Sequence, residues 1–156
     1  ATKWSLVAVE EKRRQKAKRV KSAKTPEKLA QDAVNAFIRE RDKHKPCIVH
    51  GYECPYESTG WHAGHFKSVG SHPELRYNTW NIHKQCASGN KGAHKWSRYE
   101  RSNDAMYEEN LRKRIGDARV DWLKASHPPK QYRDEDLKRI KTLFNRRARL
   151  YRKLRA

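Results

Sequence analysis

The sequence predicts a mostly helical α+β protein in which a small ββα-metal core is flanked by long helices. Apolar residues recur at three- and four-residue steps in 29–38 and again in 137–154, a spacing typical of amphipathic helices. Between these segments, residues 46–92 are rich in Gly, His, Cys, Pro and aromatic residues and lose that periodicity. The 156 residues suffice for one modest domain with extensions. We predict a basic N-terminal arm at 1–24, a core with its flanking helices at 25–126 and a basic C-terminal helix at 127–156.

Local signals mark the expected helix ends. Thr25-Pro26-Glu27 combines a capping residue, a proline suited to the first turn and an acid at the positive end of the helix dipole, so a helix should run to about Arg41. Ser102 or Asn103 should cap another helix, which Gly116 should end. The expected order is completed by a short helix around 120–123, a break at Pro128-Pro129 and a long helix from about Asp134.

The apolar stripes on the first and last of these helices need a partner surface. The stripes contain Ala33 and Phe37 on the first helix, and Leu137, Ile140 and Phe144 on the last. Each stripe could close the core of the monomer or form the interface of a homodimer. Periodicity alone leaves both alternatives open.

The charge of the chain indicates a polyanionic partner. Lys and Arg number 37 against 18 Asp and Glu, which gives a formal net charge of +19. No apolar run is long enough for a membrane-spanning helix or a secretion signal. We therefore expect nucleic acid as the partner, rather than a membrane or a small-molecule substrate.

Histidines and asparagines in the middle of the chain follow the order of the HNH nuclease signature. His62 and His65 come first, followed by Asn81 and then by Asn90 and His94. In such folds a β-hairpin presents a histidine base, and the next helix supplies metal ligands. Phosphodiester hydrolysis needs an activated water and a cation that neutralises developing charge, and an imidazole beside one divalent ion can meet both needs. The predicted core is therefore of HNH type.

Each of these residues receives a predicted role. His65 is the general base, since a neutral imidazole accepts a proton near neutral pH. His62, Asn90 and His94 are the ligands of Mg²⁺, with Mn²⁺ or another divalent ion as an alternative. Asn81 completes the catalytic group as an amide that fixes the loop against the hairpin.

The spacing of the two hairpin histidines carries a geometric condition. Side chains alternate along a strand, so His62 and His65 would point to opposite faces of a regular strand. We therefore expect Ala63-Gly64 to bend the chain and bring the two imidazoles together.

Four segments resemble the lambdoid-phage NinG/Rap recombination endonucleases: QDAVNAFIRERD at 31–42, WHAGHF at 61–66, LRYN at 75–78 and NIHKQC at 81–86. The resemblance covers about 30–123 and, more loosely, the last helix. It implies a divalent-cation-dependent endonuclease that cuts Holliday junctions and D-loops during phage recombination. Such an enzyme would act in the cytoplasm of the bacterial host, and a homodimer would place two active sites on the near-symmetric strands of a junction.

The three cysteines, Cys47, Cys54 and Cys86, suggest a reducing compartment with metal-bound or free thiols. The family that the chain resembles carries two CxxC pairs around the core, but here His50 and Gly89 stand at the second position of each pair. Cys47, His50, Cys54 and Cys86 could form a rearranged structural Zn²⁺ site. Alternatively, zinc has been lost and aromatic packing replaces it, through Trp61, Phe66, Tyr77, Trp80 and Trp96.

Basic residues near the core and on both helical extensions are the predicted DNA contacts. They are Lys12, Arg13, Arg14, Lys67, Arg76, Lys84, Lys91, Lys95, Arg146 and Arg149. Two other functions share these features. One is a non-catalytic architectural DNA-binding protein with a structural metal, and the other is an HNH nickase without preference for branched DNA.

Overall fold

Helix ends in the computed structural model coincide with the capping residues of the sequence. The structure describes residues 7–15, 24–54, 60–90 and 102–155. Residues 7–15 are helical (α1). The elements that follow are α2 (Pro26–Arg41), β1 (His62–His65), a 3₁₀ turn (Pro73–Leu75), β2 (Ile82–Gln85), α3 (Ala87–Asn90), α4 (Asn103–Ile115), α5 (Asp117–Lys124) and α6 (Asp134–Leu154). The described residues are thus mostly helical with one small antiparallel sheet, which agrees with the predicted α+β class.

The predicted caps are present in the structure. The Thr25 hydroxyl accepts a hydrogen bond from the Lys28 backbone N–H, and α2 ends at Arg41 as predicted. The Ser102 hydroxyl accepts from the Ala105 N–H at the start of α4. Gly116, at φ +88°, ends α4 and lets α5 begin at the next residue. Local capping chemistry therefore set these helix boundaries.

The two apolar stripes considered for a dimer interface pack against each other within the monomer. Phe37 on α2 meets Phe144 and Tyr151 on α6, each with ring centroids 5.4 Å apart. At the end of the helix pair, Arg152 forms an ion pair with Glu40 at 2.7 Å. The stripes therefore close a core between α2 and α6.

The sheet contains four consecutive antiparallel pairs, in which His62 faces Gln85 and His65 faces Ile82. Gly64 does not adopt a positive φ. The expected bend at Ala63-Gly64 is therefore wrong, because uninterrupted pairing keeps β1 regular. Alternation then places His62 and His65 on opposite faces of the hairpin.

A second core connects the hairpin to α4 and α5. It contains Cys47, Ile48, Val49, Cys86, Leu111, Val120 and Leu123. The Tyr107 hydroxyl of α4 donates to the Gly64 carbonyl at 3.0 Å, and Asn110 donates to the Val49 carbonyl at 2.9 Å. The side of the hairpin opposite α2 is thereby held in place. Among the described helices, none is sufficiently long and apolar to span a membrane.

Candidate functional site

Three thiols and one imidazole converge where the loop after α2 meets the junction of β2 and α3. Cys47 and His50 lie in a turn that the Ile48 N–H ties to the Lys84 carbonyl of β2 at 2.9 Å. Cys54 follows in the same loop, and Cys86 directly follows β2. The ligand atoms of all four residues lie within 4.8 Å of one another. The set predicted as a rearranged metal site is thus brought together.

Distances within this Cys₃His cluster fit a tetrahedral ion. The Sγ atoms of Cys47 and Cys86 are 3.5 Å apart, and the His50 Nδ1 lies 3.1 Å from Cys86 Sγ and 3.3 Å from Cys54 Sγ. A zinc ion with bonds of about 2.0–2.3 Å separates its ligand atoms by about 3.5–3.8 Å. Small adjustments would therefore complete the coordination, and the cluster could hold a metal ion.

The cluster is electrostatically unfavourable for thiolates unless a cation is bound. Burial raises the pKa of the Cys47 thiol, and burial together with the neighbouring thiols raises the pKa of Cys54. A bound cation reverses this preference by stabilising the thiolate form. Backbone N–H groups of Cys86 and Gly89 already point at sulfur, at 3.4 Å from Cys47 and Cys86 respectively. Such contacts orient thiolate ligands.

The aromatic residues proposed as an alternative to zinc do not form one cluster. Trp61 and Phe66 pack against the second core, which includes Cys47 and Cys86, but Tyr77 belongs to the core between α2 and α6. Trp80 is partly exposed, and Trp96 lies outside the described residues. The aromatic residues predicted from the sequence therefore do not join the hairpin and the helix at a single place.

His65 on β1 has a defined tautomer. Its Nε2 lies 2.9 Å from the Arg76 carbonyl oxygen, which can only accept, so Nε2 carries a proton. In the neutral ring Nδ1 then holds the lone pair, and Nδ1 has no hydrogen-bond partner among the described residues. Burial lowers the pKa of His65; the bond to the Arg76 carbonyl opposes this effect and the Arg76 charge adds to it. The ring is therefore neutral and available as a base at pH 7.

The opposite face of the hairpin carries His62, Gln85 and Asn90. Gln85 is 5% exposed and donates from Nε2 to the Gly89 carbonyl at 3.1 Å. Its Oε1 occupies the space above Gly64, 1.3 Å from where a Cβ would stand, and the Asn90 Oδ1 lies 3.1 Å from the same point. Two amide oxygens thus approach each other over the glycine. His62 shares this face because it pairs with Gln85.

Asn81 is fully buried and connects the two ends of the loop between the strands. Its Oδ1 accepts from the Lys67 N–H at 2.7 Å, and its Nδ2 donates to the carbonyls of Lys67 and Leu75 at 3.0 and 3.3 Å. These are the contacts of an amide that fixes a loop. A direct catalytic role for Asn81 stays a prediction. His94, Lys91 and Lys95, also predicted from the sequence, lie outside the described residues.

The family of the chain follows from comparison with known proteins. The family described as "Bacteriophage Lambda NinG protein" matches residues 7–154. The chain belongs to the NinG family. Over 120 residues it is 39% identical to protein ninG of Enterobacteria phage H19B and 38% identical to protein ninG of Escherichia phage lambda and of Salmonella phage P22.

These alignments cover 77% of the chain and 54–55% of each relative. The chain therefore spans about half the length of the curated NinG relatives that it matches. No solved structure matches the chain significantly.

The predicted DNA contacts of this NinG-family chain differ in accessibility. Lys12, Arg13 and Arg14 on α1, and Arg146 and Arg149 on α6, are exposed. Lys67 and Arg76 are half-buried, with Lys67 over the Phe66 ring and Arg76 bonded to Gln31.

Lys84 is not placed to contact DNA. It is 3% exposed, and its Nζ donates to the Lys45 carbonyl at 2.8 Å and lies 3.8 Å from the centre of the Trp61 ring. These contacts argue against the phosphate contact predicted for it.

Two features of the NinG-family site were missed by reasoning from the sequence. The first is the amide of Gln85, which lies over Gly64 only because of how β1 pairs with β2, and the sequence does not show that pairing. The second feature is a buried cluster of Arg41, Asp42 and His83 behind the hairpin. Burial alone would raise the pKa of Asp42, but hydrogen bonds with His83 and Arg41 hold it well below its usual range. The sequence signal for this cluster was Asp42, an acid directly after α2.

Proposed function

We propose that the chain is a metal-dependent endonuclease of HNH type that hydrolyses phosphodiester bonds in branched DNA, such as Holliday junctions and D-loops. In this proposal β1, β2 and α3 form the ββα-metal core, and the protein acts in phage recombination within the host cytoplasm, as do the Rap endonucleases it resembles. The observation that carries the proposal is the state of His65: a neutral imidazole whose tautomer leaves Nδ1 as acceptor.

His65 is the proposed general base. The Arg76 carbonyl orients the ring and fixes the proton on Nε2, so Nδ1 can take a proton from a water placed beside a phosphate. The imidazolium that forms would keep its Nε2 hydrogen bond to the carbonyl. Arg76 follows in the same loop and carries a cation next to this position, which favours the approach of a phosphate.

The proposed cation ligands are His62 and Asn90, with His94 as the third predicted ligand. This face lies opposite His65, so an ion held there would neutralise negative charge on DNA that passes around the hairpin and reaches both faces. The described donors on this face are imidazole and amide groups and contain no carboxylate, although Mg²⁺ prefers carboxylate oxygens. Mn²⁺ accepts nitrogen ligands more readily than Mg²⁺ does, so this donor set fits Mn²⁺ better than Mg²⁺. We expect activity with both ions and more activity with Mn²⁺.

The Cys₃His cluster is proposed to hold structural zinc. Its soft donors and closed set of four favour Zn²⁺ over Mg²⁺. Cys86 joins β2 to α3, and the Asn90 N–H donates to the Cys86 carbonyl at 3.0 Å. A zinc ion there would therefore fix the start of α3, and Asn90 with it, against the hairpin. Its role would be to hold the catalytic parts in position.

DNA is the proposed partner, and a homodimer is the proposed assembly. Exposed cations on α1 and α6 can follow phosphates without reading base sequence, which suits recognition by shape. The dimer interface lies outside the Phe37 and Phe144 stripes, because those residues already pack against each other. An architectural DNA-binding protein would share the charge and the zinc, but it would not need the oriented imidazole of His65.

The test is cleavage of a synthetic four-way junction by the purified protein with Mg²⁺ or Mn²⁺. His65→Ala is expected to lower the cleavage rate about 10²–10⁴-fold while junction affinity stays within about twofold. His44→Ala, which removes an exposed histidine elsewhere, is the matched control. Competition with linear duplex separates a junction enzyme from a general nickase. Undiminished cutting by His65→Ala would remove His65 from the mechanism.

A further inference from the structure

Two indole rings meet at the surface on the far side of the loop that ends at β2. Trp80 is 38% exposed and Trp122, on α5, is 43% exposed, and the rings stand edge to face with centroids 5.7 Å apart. Large aromatic side chains usually bury most of their area, so two adjacent exposed indoles need an explanation. Nothing in the roles assigned above uses either tryptophan.

Hydrogen bonds fix the backbone at both tryptophans, and a neighbouring ring packs on Trp122. The Trp80 N–H donates to the Asn78 side chain at 2.8 Å, and the Trp80 carbonyl accepts from His83 at 3.0 Å. On α5, Val120 and Leu123 are fully buried, which leaves position 122 facing outward. The His127 ring packs on Trp122 at 4.2 Å and donates to its carbonyl at 2.7 Å. The pair is therefore preorganised, which lowers the entropic cost of binding a flat partner.

Between the tryptophans and α6 runs a groove, which we call the indole groove. It is an open depression of about 500 Å³, and it is lined by Tyr77, Asn78, Thr79, Trp80, Trp122 and Phe144. Four of the six lining residues are aromatic, so the groove offers π-faces together with the polar side chains of Asn78 and Thr79.

Cations surround the indole groove, each lying over an aromatic ring. Arg119 lies 5.1 Å from the Trp80 ring centre and Arg147 lies 5.3 Å from that of Phe144. Lys130 stands 4.9 Å from the ring of Tyr132, which borders the adjoining cavity.

Nearby acids are paired elsewhere: Asp117 and Asp121 with Arg112, and Glu74 with His72. Arg119, Lys130 and Arg147, in contrast, form no ion pair among the described residues.

We propose that the indole groove binds an unpaired nucleobase of DNA, which stacks on Trp122 at right angles to the Trp80 ring, while Arg119, Lys130 and Arg147 contact the flanking phosphates. Aromatic platforms with surrounding cations bind single strands with little sequence preference, because every base has a π-face. Bases within a continuous duplex already stack on each other and cannot enter. The inference rests on the proposed function for the reason that such DNA is encountered, since a D-loop contains a displaced, unpaired strand.

The position of the groove fits this role. Trp80 precedes Asn81, whose carbonyl accepts from the Phe66 N–H at 2.8 Å, and Phe66 follows His65. Tyr77, which lines the groove, follows Arg76, whose carbonyl holds His65. The loop between β1 and β2 therefore lines the groove and also contacts His65, the proposed general base. An unpaired nucleotide held in the groove would bring the adjoining strand towards His65, which makes Trp122 and Trp80 determinants of substrate choice.

The test measures DNA affinity by fluorescence anisotropy without added divalent cation, so that cleavage does not interfere. The probes are a labelled oligothymidine strand, a linear duplex of the same length, and an oligothymidine strand with abasic positions. Trp122→Ala is expected to weaken binding to the unpaired strand about tenfold and to leave duplex binding within about twofold. The wild type should bind the abasic strand about tenfold more weakly than the intact strand. Trp122→Ala should bind the two strands with equal affinity.

Two further variants keep the result interpretable. Trp122→Phe retains a π-face and should retain most of the affinity, while the quenching of tryptophan fluorescence by the unpaired strand should decrease. Leu150→Ala removes a comparably exposed apolar side chain from α6 and should change nothing. Circular dichroism checks that each variant folds.

Equal losses on duplex and unpaired strands, or no loss on either, would overturn the inference. So would a change of oligomeric state in Trp122→Ala with unchanged DNA binding, because the groove would then be an interface between copies. Binding of the unpaired strand that is insensitive to Trp122, together with normal junction cleavage, would overturn the role of the groove and leave the proposed endonuclease standing. Stacking on Trp122 without any cleavage would support the groove and overturn the proposed endonuclease.

Discussion

The Cys₃His cluster and the His65 hairpin are neighbours in the fold, but they differ in how completely the protein builds them. The cluster draws Cys47, His50, Cys54 and Cys86 from two segments to within 4.8 Å, and backbone N–H groups already point at its sulfurs. The hairpin offers one oriented imidazole on one face and amide donors on the other. The first arrangement is complete for a metal ion without any substrate, whereas the second requires DNA and a cation.

This difference separates a structural site from a reactive one. A closed set of four soft ligands leaves no open position, so an ion held there would stabilise the fold and would not contact DNA. The hairpin leaves His65 Nδ1 without a hydrogen-bond partner in the part of the chain that the structure describes, so this nitrogen is available to accept a proton. Changes in the cluster should therefore alter stability first, and changes in the hairpin should alter activity or local packing.

The largest expected effect is on the cluster. His50→Ala should abolish stoichiometric zinc and lower the melting temperature by about 10 °C or more, since each kcal/mol corresponds to about 2–4 °C at this size. His44→Ala, in the same part of the chain but outside the cluster, should change neither quantity. Elemental analysis and calorimetry give the two measurements. A wild type that folds and cuts without zinc would show that packing alone holds this region.

The next effect concerns the glycine beneath Gln85. In Gly64→Ala the new methyl would collide with the Gln85 Oε1, so the amide must move and the protein should lose about 1–2 kcal/mol of stability. Gly70→Ala is the matched control, because nothing lies within 4 Å of its Cβ position.

In a Gln85→Ala background the cost of Gly64→Ala should nearly disappear, which chemical denaturation of the four proteins can measure. An unchanged cost in that background would show that Gln85 is not the obstacle.

A smaller effect is the pH dependence from His83. Burial lowers the pKa of His83, although its bond with Asp42 opposes this, so the folded state prefers the neutral ring. Below about pH 6.5 the unfolded chain binds a proton that the folded chain does not, and the free energy of unfolding should therefore fall as the pH drops.

His83→Gln should show a shallower decline between pH 6.5 and 5, while loss of metal at low pH affects both proteins alike. Denaturant titrations at several pH values measure the difference. Identical slopes for the two proteins would mean that His83 does not contribute.

The smallest effect on stability is expected at the exposed arginines of α6. Arg146→Ala should reduce the slope of log affinity against log salt by about 0.9 if the residue neutralises one phosphate, and should leave stability unchanged. Lys84→Met should leave the salt slope unchanged and lower the stability, because Lys84 is buried against backbone carbonyls and Trp61. Duplex binding at several salt concentrations distinguishes them. A reduced slope in Lys84→Met would contradict the assignment of that lysine to the interior.

The sequence by itself determined the features that depend on local chemistry. The cap at Thr25, the helix end at Gly116 and the start of α6 at Asp134 follow from neighbouring residues, so they were predictable. The ligand set of the Cys₃His cluster was also predictable, since soft ligands are few in this chain. The net charge of +19 needed no structure at all.

Tertiary structure alone decided the features that depend on pairing between distant segments. The register of β1 with β2 placed His62 and His65 on opposite faces and brought Gln85 over Gly64, and no local signal specifies a register. Packing of α2 on α6 assigned the apolar stripes to the monomer's core. Lys84 became interior, and Trp80 and Trp122 met at the surface, because burial depends on which elements pack together, and a residue's type does not state it.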